Sequence, residues 1–116
     1  MAVGKECLVE RFAARAIAAG ANQLEVEYKD HCEEVYAMSG DWESGVGVSI
    51  AMLPSSTPEA RSLVSELYNL ARKRRWIKFK VHGRDCELRC HSHDSFGEEA
   101  YRVELRTSAK ARGSRA

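Results

Sequence analysis

The chain has 116 residues, 44% apolar and 30% charged, with a formal net charge of +1. That is the make-up of one globular domain with enough apolar material for its own core, and it excludes collagen-like and wholly disordered classes. The apolar run from Ala13 to Ala19 is broken by Arg15 and too short to span a bilayer, and no signal-peptide pattern opens the chain; a cytoplasmic protein with no membrane partner is expected.

Residues 5–19 are rich in alanine, and Leu8, Phe12, Ala16 and Ala19 recur at a spacing that stacks them on one helical face, which Gly20 ends. From Gln23 the period becomes two. Leu24, Val26 and Tyr28 face inward against Glu25, Glu27 and Lys29, which predicts a half-buried strand, a turn at Lys29-Asp30-His31, and a return strand over Cys32 to Ser39. A polar, glycine-punctuated loop, residues 40–45, follows. Beyond it Val46, Val48, Ile50 and Met52 alternate with small uncharged residues, which fits a strand at the centre of the sheet.

Thr57, Pro58 and Glu59 are an N-cap, a first-turn proline and a first-turn acid, so a second helix starts there. Leu63, Leu67, Leu70 and Ala71 supply its buried face, and Arg72-Lys73-Arg74-Arg75 close it with positive charge. Ile77, Phe79 and Val81 then alternate against Lys78 and Lys80, residues 82–85 turn, and Cys86, Leu88 and Cys90 alternate against Glu87, Arg89 and His91. After a loop over 93–98, the last strand sets Tyr101, Val103 and Leu105 against Arg102, Glu104 and Arg106. Residues 108–116 carry no apolar period and read as a flexible basic tail.

The order helix, strand, strand returns after about 54 residues, the mark of a duplicated unit. The expectation is a single α+β domain over residues 1–107, with pseudo-repeats at about 5–53 and 58–106. It forms a two-layer sandwich, a mainly antiparallel sheet with two helices on one face. The halves differ in sign: residues 1–55 hold four basic groups against nine acids, residues 56–116 fourteen against eight. Opposite units can pair within or between molecules.

No strong catalytic or cofactor motif is present. Cys86, Cys90, His91 and His93 have the chemistry of zinc ligands, but on one strand the thiols and the imidazoles face opposite ways. The four cysteines, Cys7 and Cys32 included, read as reduced core or near-core thiols. His31 beside Cys32 and His93 beside Asp94 likewise point apart in a strand, and no glycine-rich phosphate loop exists. Arg72, Lys73, Arg74, Arg75, Trp76, Lys78 and Lys80, with Arg89, Arg102 and Arg106, are the candidate nucleic-acid contacts, Trp76 or Tyr101 stacking on bases.

Gly20-Ala21-Asn22-Gln23-Leu24-Glu25-Val26-Glu27 resembles the Gly-Ala-Ser-Asp-Ile-His-Ile-Glu segment in the N-terminal domain of the type II secretion and type IV pilus assembly ATPases. Met38-Ser39-Gly40 resembles the family's Ile-Asp-Gly turn, and Gly97-Glu98 followed by Arg102 its Gly-Glu and strand arginine. The likeness spans residues 8–106 and implies a topology and a place in a larger assembly. It carries no ATP hydrolysis, because the family's nucleotide-binding domain has no counterpart here.

The leading expectation is a small non-enzymatic protein-interaction module, without cofactor or small-molecule substrate, that meets a protein partner or a second copy of itself as a homodimer. The alternative is a nucleic-acid-binding module using the basic second half. Trp42 and Phe96, aromatic residues in the equivalent loops of the two halves, are the candidate protein contacts.

Overall fold

A computed structural model of the chain describes residues 7–40, 45–95 and 97–107. Trp42, Phe96 and the tail 108–116 lie outside the described residues. The elements run α1 (Leu8–Ala18), β1 (Gln23–Lys29), β2 (Cys32–Ser39), β3 (Val46–Pro54), α2 (Pro58–Lys73), β4 (Ile77–Val81), β5 (Arg84–Ser95) and β6 (Glu98–Thr107). The fold is α+β, as the alternation of periods requires.

Each helix begins with a side chain that satisfies an orphan N–H. Cys7 Sγ accepts from the Glu10 amide at 3.4 Å and Thr57 Oγ1 from the Ala60 amide at 3.2 Å, with Pro58 in the first turn of α2. Gly20, at φ +85°, ends α1. Its N–H bonds the Ile17 carbonyl and that of Ala21 the Ala16 carbonyl, a Schellman closure that needs the left-handed residue. The buried stripe of α1 is Val9, Phe12, Ala13 and Ala16, while Ala19 is exposed. Phe12 and Ala16 lie on the buried face as expected, with Val9 and Ala13 beside them in place of Leu8, which is half-buried, and the Val9 amide donates to Glu66 Oε1 of α2 at 2.9 Å.

The strands form one antiparallel sheet in the order β3-β2-β1-β6-β5-β4. Asp30 and His31, and again His82 and Gly83, hold positive φ, which makes both tight hairpins the type whose twist matches the strands they join. Register puts Leu24, Val26, Val35, Phe79, Cys86, Leu88, Cys90, Val103 and Leu105 on one face, where they join Phe12, Leu63 and Leu67 in a single core. Both helices cover that face. The other face has no helix on it among the described residues.

Each half supplies a helix and three strands, the trios lying side by side with β1 against β6. In six alternating strands β4 runs opposite to β1, so laying one trio on the other turns the sheet over, yet both helices share a face. The repetition is therefore one of element order and turn type.

Two elements depart from expectation. β3 is an edge strand, not a central one, and it is bulged: pairing steps from Val35–Ala51 to Tyr36–Ser49 and leaves Ile50 over. Small residues without charge signalled burial, but they also suit an exposed edge. The segment 93–98 was expected to be a loop. Instead β5 continues to Ser95 and β6 starts at Glu98, a hairpin longer than either neighbour, since β1 meets β6 only from Tyr101 to Glu104 and β4 meets β5 only from Arg84 to Leu88.

Candidate functional site: the open sheet face and its edges

Alternation carries Glu25 of β1, Glu87, Arg89, His91 and His93 of β5, and Arg102, Glu104 and Arg106 of β6 to the face without helices, where they interlock. Glu25, although a carboxylate, is only 5% exposed: Arg102 Nε donates to its Oε1 at 2.8 Å, and His93 Nε2 bonds its Oε2 at 3.0 Å. Glu104 repeats the arrangement with His91 Nε2 and with Arg89 Nη2 at 3.4 Å, and Glu87 accepts from Arg106 Nε at 2.8 Å. Each imidazole thus has its Nε2 on a carboxylate that an arginine also holds. That is the geometry of a structural ion-pair lattice, and His93 pairs with Glu25 across the sheet.

The thiols lie on the other side. Cys86 and Cys90 are buried under α2, and desolvation pushes Cys90 up to about 12 and also raises Cys86, so neither is a ready thiolate. Because β5 runs unbroken through Cys86, Cys90, His91 and His93, the thiols and imidazoles stay on opposite faces, and no group of three or more His, Cys, Asp or Glu side chains is placed to hold a metal among the described residues. Cys7 rises to about 11, chiefly by burial.

The basic residues do not converge into one field. Lys80 pairs with Asp85, and Arg89, Arg102 and Arg106 each meet a glutamate. The Trp76 ring is covered by Arg106, its guanidinium carbon 3.6 Å from the ring centre, with Arg89 at 4.7 Å, so the indole is stacked within the protein. Tyr101 is buried beneath α2. Arg72, Lys73, Arg74 and Arg75 stand exposed at the end of α2, in the helical layer, while Lys78 is exposed on the open face.

The sheet's two edges differ in kind. β4 is short and carries Lys78 and Lys80, residues that discourage pairing with another strand. β3 has no charged residue over its nine positions, and Val46, Val48 and Met52 are 70%, 62% and 52% exposed. At its bulge the Ile50 carbonyl is capped by Arg15 Nη2 at 3.0 Å, which leaves Val46–Ser49, in regular register with β2, as the stretch without such a cap among the described residues. Beside it Glu34, which pairs with Met52, accepts from Ser49 Oγ at 2.6 Å and from Tyr36 Oη at 2.8 Å; these bonds hold its carboxyl below the usual range, and the hydrogen bond to Glu34, with burial, lifts Tyr36 to about 12. The sequence signalled this edge through its missing charge and misplaced it.

No protein-family model matches the chain, and no curated protein matches it. No helix among the described residues is long and apolar enough to cross a membrane.

Proposed function

We propose that the chain is a small non-enzymatic protein-interaction module that joins a second copy of itself along β3. The supporting observation is the apolar, charge-free edge at Val46–Ser49 on a molecule whose opposite edge is guarded by lysines. An exposed strand edge is a row of unpaired backbone donors and acceptors, and a second strand satisfies them. Two copies of a neutral strand meet antiparallel without like charges facing each other, whereas a strongly acidic or basic partner finds no counter-charge on it. With the dyad at Gly47, Val46 of one copy lies opposite Val48 of the other, and the four valines leave water together.

Sedimentation equilibrium tests the reading. A dimer of twice 13.0 kDa is expected for the wild type, and Val48→Lys should return the monomer with an unchanged circular dichroism spectrum. A wild type that stays monomeric at hundreds of micromolar overturns it, and steeply salt-dependent retention on heparin by that monomer would favour the nucleic-acid reading.

A further inference from the structure

We propose that the upper half of β5, residues Arg89 to Asp94, is a second strand-accepting edge and that its occupant is an extended acidic peptide from another protein. β6 pairs with β5 from Cys86 to Ser95, but β4 pairs with it only as far as Leu88. No strand lies on that side of Arg89–Asp94 among the described residues. The chain leaves instead through Arg74, whose left-handed backbone (φ +54°) stops α2 abruptly, and a bend at Arg75.

A cavity of about 400 Å³ fills the space, lined by Ala71, Arg74, Arg89, Cys90, His91 and Ser92. Four of these are consecutive. Neighbouring side chains of a strand point to opposite faces, so a cavity on either face would touch only alternate residues. One lined by four in a row lies against the strand's edge, in line with the row that β4 abandons. A second cavity of about 370 Å³ shares Ala71, Arg74 and Ser92 and continues the space beneath Tyr68 and Arg72.

Charge selects the occupant. Arg89 and His91 are already bonded to Glu104, so the positive charge facing the first cavity is that of Arg74, joined by Arg72 at the second, where Glu99 also lies. The C-terminus of α2 contributes roughly half a negative charge, which the full charges of Arg72, Lys73 and Arg74 outweigh. A peptide is favoured over a nucleic acid because a strand edge offers alternating N–H and C=O groups, which a peptide backbone complements and a phosphodiester, having no donor, does not. The site stands apart from β3, so dimerisation can fail without touching it.

The test is fluorescence anisotropy of the full chain with a labelled alternating Glu-Val octapeptide, beside its Gln-Val analogue, two forms N-methylated on alternate residues, and an eight-nucleotide oligothymidylate. The expected result is binding of the Glu-Val peptide, weakened at least tenfold in the Gln-Val analogue and in one N-methylated form only. Amide shifts should concentrate at Arg89–Asp94. Arg74→Glu, at an exposed position, should weaken binding tenfold or more, and Val48→Lys should leave it unchanged. Equal binding of both N-methylated forms, shifts confined to β3, preference for the oligonucleotide, or no binding overturns the proposal.

Discussion

Glu25 and Arg102 stand directly opposite each other on β1 and β6, and their 2.8 Å bond closes the seam between the halves of the sheet. Four residue pairs, Gln23–Glu104 to Val26–Tyr101, join the halves there, with one more backbone bond from Leu105 N–H to the Asn22 carbonyl, so the buried ion pair sits at the centre of a short seam. Removing one partner strands the other charge. Glu25→Ala should cost about 3–5 kcal/mol. Lys80→Ala, at the exposed pair with Asp85, should cost less than about 1 kcal/mol. Urea midpoints compare the two, and equal losses would mean that Glu25 is solvated in solution.

His31 occupies the second turn position of the first hairpin at φ +66°, where the matching turn of the second hairpin has Gly83 at φ +80°. A left-handed backbone strains any side chain, and glycine removes the strain. His31→Gly should therefore raise stability by about 0.5–1 kcal/mol in spite of losing the bond between Tyr28 Oη and the His31 ring. A lower melting temperature would show that this bond outweighs the strain.

The fold was legible wherever a local rule and the tertiary structure agree. Thr57 and Pro58 start α2 as read, Gly20 ends α1, and the alternation of β1 and β5 sorts the two faces of the sheet, although Tyr28 at the end of β1 is exposed and not in the core. Order across the sheet was not legible, because it depends on which edges meet, and nothing local in Val46–Pro54 distinguishes a strand covered by neighbours from one left bare. Glu25 was read correctly as facing away from the core; its burial was invisible because it comes from Arg102 and His93, distant in sequence. The cavity beside β5 was equally hidden, since it exists only because β4 begins no earlier than Ile77, opposite Leu88.

Glu34 gives the structure an acid-sensitive anchor beside the β3 edge. Bonds from Ser49 and Tyr36 favour its ionised form, so its folded pKa lies below the unfolded value. The stability it adds is therefore present above the unfolded carboxylate pKa, about 4.3, and is lost as pH falls through the lower folded value. Ser49→Ala should cost about 1.5–3 kcal/mol at pH 7, and the gap from wild type should close below that range. For Tyr36, raised to about 12, the sign reverses: its contribution is present below the ordinary tyrosine value and lost as pH climbs towards 12. A Ser49→Ala penalty independent of pH would remove the charge-assisted account.

Leu67 and Cys90 allow the core to be tested by chemistry. Leu67 is fully buried, its carbonyl accepts from Cys90 Sγ at 3.5 Å, and burial holds that thiol near 12. Alkylation of Cys90 at pH 8 thus waits for unfolding. Leu67→Ala leaves a cavity and should cost about 2–5 kcal/mol. If opening is global, each 2 kcal/mol raises the unfolded fraction, and with it the labelling rate, about thirtyfold. Mass spectrometry of iodoacetamide-treated protein reads this rate at Cys90 directly, and rapid labelling of the wild type would place that thiol outside the core.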